Sequence, residues 1–443
     1  MSLTKVSYSM ISGAIANVLD FGADPTGVAD STAAINAALV AADVVYLPAG
    51  NYKVSQIVFT GSGNTAIFGK TLVGSGLGPV NIIGYVAGTS VIRFGTAGGW
   101  DDETNLEEFR ADYCNLENVT ITATAAYTYG IECQWLTNAS WKNVVVSSGG
   151  NIALGLYLDF SWDNDFVHTV IAAESGVQMG VHGPNRNAFH GLRVAGGGTL
   201  TGIGFDFGGS ANSVFGLDAS GYYAGVASSV GGFGLTIHGG YFESNDYDIN
   251  LNNTSGISVT GCRFIVGVNN NIAITQAGSA NVRGFLIAGN GFTNKASCIR
   301  PTANTQEWVA HGNEFVSCTA TIDPVGTGGN YHVFENFEFQ FVPVFTNLVT
   351  TGSPIFSGKY IRMGKTIRFV VLIDDNGGTT SSTAGSTYFT GLPTGVASAG
   401  TLAAVDGGIN DLGNGQVSTI YAFTPSWSAN GNTITISGSY TVA

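Results

Sequence analysis

Between residues 164 and 339 the chain keeps returning to one phrase: a turn-forming Asn or Gly, then an apolar residue set among polar ones. It reads NDFVHTV (164–170), NAFHGLRV (187–194), NSVFGLDA (212–219) and GGYFES (239–244). It continues as TGCRFIV (260–266), AGNGFTN (288–294), HGNEFVS (311–317) and FENFEF (334–339). Aligned on the apolar position, the phrases give Val167, Leu192, Leu217, Phe242, Phe264, Phe292, Phe315 and Phe337. The first three steps are each 25 residues, and the next four are 22, 28, 23 and 22. A period in this range marks a solenoid. A short strand cannot bury a face alone, whereas stacked coils bury a continuous column of equivalent residues. The pattern predicts an all-β fold, a right-handed parallel β-helix over residues 44–340 with successive coils about 4.8 Å apart. A β-propeller blade needs roughly 40 residues or more, so the period speaks against it.

The two ends of the repeat read differently. An open stack exposes apolar surface and unpaired backbone, and needs a cap. In residues 1–43, Asp30 precedes STAAINAALVAA, where Ile35 and Leu39 lie four apart as on a short amphipathic helix. From 341 to 443 the coil-length period is lost, and runs such as IRFVVLI (367–373) and NTITISGSYTV (432–442) alternate as in a β-sandwich. Tyr360 and Trp427 in that domain either pack its core or stack on sugar, and core packing is the commoner fate.

Composition sharpens this. Of 443 residues 64 are Gly and only 10% are charged, which favours short strands and tight turns over helices. A formal charge of -14 opposes nucleic acid and anionic membranes as partners. The five cysteines have no metal-type spacing and an odd count, and read as buried free thiols. Neither a metal nor a cofactor is expected. No apolar run reaches the length of a membrane span. The GKT triplets at 69–71 and 364–366 miss phosphate-loop spacing, and GSGLG at 74–78 is followed by no amphipathic helix.

The stretch NVLDFGADPTGVADSTAAINAA (17–38), followed by VVYLPAGNY (44–52), resembles the opening of the pectate-lyase-like β-helix superfamily in its bacteriophage-tailspike version, and KVSYSMISGA (5–14) adds to the match. Where that family carries two acids before the Thr, this chain has Asp30-Ser31-Thr32. The motif builds a cap and is silent on chemistry. The NTD, G-x-DD, GHG and RIK signatures of the polygalacturonases are missing. Asp101-Asp102 and Asp374-Asp375 lack their context, which argues against a pectin hydrolase but not against hydrolysis of another glycan. The phrasing Gly-Lys-x-Ile-Arg-Phe…Gly-Leu-Pro resembles domains appended to phage tail fibres and tailspikes. The resemblance implies a homotrimer on the phage tail, acting on a bacterial surface polysaccharide (capsule or O-antigen) at the host surface after synthesis in the host cytoplasm. It gives the C-terminal domain a trimerisation or glycan-binding role. The short N-terminal region leaves residues 1–16 to dock on tail or baseplate, or the sequence is truncated there.

If Val167, Leu192, Leu217 and Phe242 stack inward, the residues after them point outward. Those are His168, Arg193, Asp218 and Glu243, an imidazole, a guanidinium and two carboxylates in one expected column. Above it stand Ile265 and Thr293, and below it Asn143, so the polarity is confined to the middle of the stack. Glycoside hydrolysis uses two carboxyl groups, and two this close resist double ionisation, giving an acid beside a base or nucleophile. Glu243, with Tyr241 beside it, is assigned general acid and Asp218 base or nucleophile. Arg193 and His168 orient sugar substituents. Trp162 is a candidate platform, Asp163 and Asp165 are rival carboxylates, and Arg186 and His190 lie nearby. Asp246 and Asp248 fall past the strand in a turn, a common place for Asp, with Asp246 a further sugar ligand. Two other functions stay open: a lyase with His168 or Tyr241 as base and Arg193 as neutraliser, and a spike that binds glycan without cutting it.

Overall fold

In the computed structural model, the described residues are 14–442 except 60–66, 96–109, 198–199, 268–270, 277–281, 303–304, 323–332, 335–338, 364–365, 393–395, 408–409, 419–420 and 431–432. Phe337, Asp101, Asp102 and the N-terminal docking residues 1–13 lie outside them. The chain divides into two compact units, Met1–Asn304 with Asn313–Asp323, and Thr305–Gly312 with Pro324–Ala443.

The first unit is a parallel β-helix. Among the described residues one of its sheets has 11 parallel strands, from Ile57–Phe59 to Ala320–Ile322. Within it Ile131, Leu156, Val177, Phe205, Val226 and Ile249 face one another rung by rung and are buried. A second, larger parallel sheet carries the phrases read from the sequence. There Phe242, Phe264, Phe292 and Phe315 stack with centroids 4.9, 4.8 and 5.1 Å apart. Helix α1 (Thr32–Ala41) buries Ala34, Ile35, Ala38 and Leu39; its N-cap is Ser31, which makes no side-chain capping bond, and the Asp30 carboxylate one residue earlier accepts the Thr32 N–H at 2.9 Å.

Two features fix the turns. Buried Asn164, Asn187 and Asn212 form a ladder in which Asn164 Nδ2 donates to Asn187 Oδ1 at 2.8 Å and Asn187 Nδ2 to Asn212 Oδ1 at 3.1 Å. Each amide also donates to a backbone carbonyl that the turn would otherwise leave buried and unpaired. The next corner is left-handed in successive coils: His168 has φ 52°, Gly191 68°, Gly216 69° and Gly239 69°. Glycine meets that requirement at no steric cost; His168 adopts it without that freedom, as Asn143 and Asn118 do in the coils below, at 53° and 54°.

The corner corrects the expected alignment. Val167 is only half-buried and pairs with His190, whereas Phe166 is fully buried. Arg193 pairs with Asp218, a step of 25, but Asp218 pairs with Tyr241, a step of 23. The Phe242 rung therefore continues downward through Ala219, Val194 and Ile171, not through Leu217 and Leu192.

The second unit holds an antiparallel sandwich of nine- and three-stranded sheets among the described residues. Ile367, Phe369, Val371 and Ile373 alternate into its core with Ile434 and Ile436. Trp427 is 5% exposed in that core and Tyr360 packs against it, so both serve packing. Four of the five thiols are buried and Cys318 is partly exposed. Among the described residues, no helix is long and apolar enough to cross a membrane, and no group of three or more His, Cys, Asp or Glu could hold a metal ion.

Candidate functional site

On the outer face of the larger sheet, the column after the left-handed corner runs Val170, Arg193, Asp218, Tyr241, Arg263. Arg193 Nε lies 3.4 Å from Asp218 Oδ2. Two residues further along each strand a second column runs Ala172, Ala195, Ser220, Glu243. Glu243 therefore sits diagonally above Asp218 instead of directly over it. With strands about 4.8 Å apart and about 3.3 Å per residue, their backbones are about 8 Å apart. The Tyr241 hydroxyl donates to Glu243 Oε2 at 3.2 Å. Burial first, then the Glu243 charge, raises the Tyr241 phenol above its ordinary value.

His168 does not join this column. It occupies the corner, over Gly191, with Val170 in the rung position below Arg193. Before the corner lies a different column, Lys142, Val167, His190, Phe215 and His238. His190 stacks on Phe215 at 5.0 Å and its Nε2 lies 3.2 Å from Asp165. Asp163 forms a two-pronged pair with Arg186, at 2.6 and 2.7 Å. Hydrogen bonding from Arg186 holds the Asp163 carboxyl below the usual carboxylate range, which suits an anion better than an acid. Trp162 is partly exposed, donates its indole N–H to the Gly183 carbonyl at 2.8 Å and meets Trp135 edge-on. Asp246 lies in the bend after Glu243 and is buried. Asp248 is not in a turn: it lies in the strand Tyr247–Leu251, fully buried, 2.6 Å from the equally buried Lys295.

A groove of about 650 Å³ runs beside the Glu243 column, lined by Ala172, Ala195, Ser147, Gly196 and Glu174. Ala172 and Ala195 stand three and two rungs below Glu243 on the same column, and the groove's lining ends at the Ala195 rung. Its floor is Gly, Ala and Ser, which lets a ligand approach the backbone. Sequence reading missed Glu174, because it stands at the bend between the two sheets and belongs to no repeated phrase.

It also missed a polar row on the 11-stranded sheet: Glu132, Tyr157, Gln178 and Asp206. The Tyr157 hydroxyl donates to Asp159 Oδ2 at 3.3 Å, and His182 Nδ1 lies 2.8 Å from the same oxygen. His182 stacks on Phe160, and Phe160 on Trp135, at 4.3 and 4.7 Å. Steps of 25, 21 and 28 residues along this row conceal it from any single period.

Residues 15–323 match the family model described as rhamnogalacturonase A/epimerase, pectate lyase-like. The chain belongs to this family. The match covers the cap and the coils that carry both polar faces. Among solved structures, the Dettilon tailspike protein aligns with a TM-score of 0.50 at 14% identity, over 96% of this chain and 94% of that one. The A-module of a mannuronan C-5 epimerase from Azotobacter vinelandii aligns at 0.46 and 16% identity, over 72% and 99%. A tailspike of Acinetobacter baumannii bacteriophage Fri1, described as a capsular polysaccharide depolymerase, aligns at 0.46 and 9% identity, over 98% and 87%. These likenesses are of fold. No curated protein matches the chain.

Proposed function

We propose that this pectate-lyase-like chain is a phage tailspike that cleaves a bacterial surface polysaccharide, capsule or O-antigen, by glycoside hydrolysis. The observation that carries the reading is the diagonal pair Asp218 and Glu243 on one outer face, with Arg193 beside Asp218 and Tyr241 beside Glu243. Backbones about 8 Å apart with both side chains outward admit a carboxyl separation in the roughly 6.5–9.5 Å range of enzymes that invert the anomeric centre, and we read the pair that way. Glu243, in contact with Tyr241, protonates the glycosidic oxygen. Asp218 takes a proton from the water that attacks the opposite face, while Arg193 holds Asp218 in place. Likeness to a tailspike over nearly the whole of both chains supports the phage-tail setting. In that setting the protein works as a homotrimer at the host surface, joined to the tail through residues 1–16.

The test is to incubate the full chain with purified capsule or lipopolysaccharide and follow polysaccharide mass by size-exclusion chromatography. Shortening with new reducing ends of inverted configuration supports hydrolysis. Products that absorb in the ultraviolet would replace it with elimination, for which Tyr241, flanked in its column by Asp218 and Arg263, is the candidate base. Binding without shortening would reduce the protein to a receptor-binding spike. Light scattering reads the subunit number directly.

A further inference from the structure

The outer face of the 11-stranded sheet carries a groove of its own, about 440 Å³, within the size range of small-ligand sites. We propose that it is a second saccharide site and that it takes uncharged pyranoses. This rests on reading the chain as a carbohydrate-acting protein, and extends that reading to a face which the Asp218–Glu243 column does not reach.

One wall is the half-buried ring of Tyr129, stacked on Tyr157 at 5.0 Å with the planes 20° apart. The Tyr157 hydroxyl is tethered to Asp159, so the ring pair is a fixed platform for the C–H face of a sugar. The lining also holds polar groups that suit sugar hydroxyls: Gln178, Ser175, Ser229 and Asp206. Asp206 is 4% exposed, and the Ser229 N–H donates to its Oδ1 at 2.7 Å. Burial raises its carboxyl above the ordinary range.

The charge of the lining selects the ligand class. Glu174 and Asp206 are its ionisable carboxyl groups, and among the described residues no Lys, Arg or His lines it. His182, which joins Tyr157 at the Asp159 carboxylate, has its Nδ1 turned to that group. A uronate, sialate or phosphate would bring its anion against carboxyl groups with no cation to offset it. Glu174 also lines the groove beside Ala172 and Ala195, so the two grooves share this one residue.

The test uses the full chain and saturation-transfer NMR with chitotriose, maltotriose and mannotriose against trigalacturonate and sialyllactose. The expected result is signal from at least one uncharged trisaccharide, none from the two acidic ones, and at least a tenfold loss in Tyr129→Ala and in Asp206→Leu. Signal that survives Tyr129→Ala, acidic sugars that saturate equally, or no signal from any uncharged sugar overturns the site. Circular dichroism and melting show whether each variant is folded. Tyr129→Phe, which keeps the platform, should retain binding. Polysaccharide shortening is measured separately. A chain that cleaves but passes sugar signal through Tyr129→Ala refutes this site alone, whereas one that binds here but never shortens polysaccharide refutes the proposed function alone.

Discussion

Single side chains carry both the proposed chemistry and a large local strain in charge. Glu243→Gln and Asp218→Asn are each expected to lower polysaccharide cleavage by about 10²–10⁴-fold, the range for removing a general acid or base. Both lie on the solvent face, so the melting temperature should be unchanged. If both variants stay active and Asp163→Asn does not, the centre lies with the Asp163–Arg186 pair instead. The buried Lys295–Asp248 pair is a stability matter. Lys295→Met alone should cost about 3–5 kcal/mol, because it strands a buried carboxylate. The double variant Asp248→Leu/Lys295→Met should be near neutral or more stable than wild type, as replaced buried pairs often are. Burial lifts the Asp248 carboxyl from 3.8 to about 6, so between those values the folded state holds more protons than the unfolded one. Unfolding free energy from this group then falls as pH rises through the window and is level above it. Denaturant titrations at several pH values, wild type minus double variant, check the sign.

At the scale of elements, the phenylalanine stack is the most regular part of the core, and it tests how coils hold together. Phe264 lies between Phe242 and Phe292 and is fully buried. Phe264→Ala should cost about 3–5 kcal/mol and Phe264→Leu markedly less, as read by chemical denaturation. Gly176→Ala should also destabilise, by about 1–3 kcal/mol, because its Cβ would sit 2.1 Å from the Gly204 carbonyl oxygen. The stack was legible in the sequence because one bulky residue recurs on every rung from Phe242 upward. Below it the same inward line is Ala219, Val194 and Ile171, while Leu217 and Leu192 are buried one corner away and look equivalent in a linear alignment. For that reason Arg193 and Asp218 were matched correctly, and Glu243 and His168 were placed in a column that the structure divides. The Tyr157–Asp159–His182 group was illegible for a related reason. Tyr157 and Asp159 are two residues apart, but His182 comes from the next coil, 23 residues on, and meets Asp159 across the stack, where no local spacing reports it.

For the molecule as a whole, the helix is only as safe as its covered end. Ile35 is fully buried beneath α1, where the first coil would otherwise present unpaired strands and apolar residues. Ile35→Asp should dislodge the cap and produce concentration-dependent self-association, an expected rise in scattering mass beyond that of wild type at equal concentration. The formal charge of -14 should also make capture of any acidic polysaccharide strengthen as salt is added, through screening, while uncharged polysaccharide responds little. The left-handed corner has a consequence of another kind. Since Gly191, Gly216, Gly239 and Gly261 return the backbone to one place, a coil that gains or loses two residues is re-zeroed before its next strand begins. The corner works like the index mark on a combination dial. Each ring of outward letters can be rewritten without disturbing its neighbours, while the lock that holds the rings together is kept.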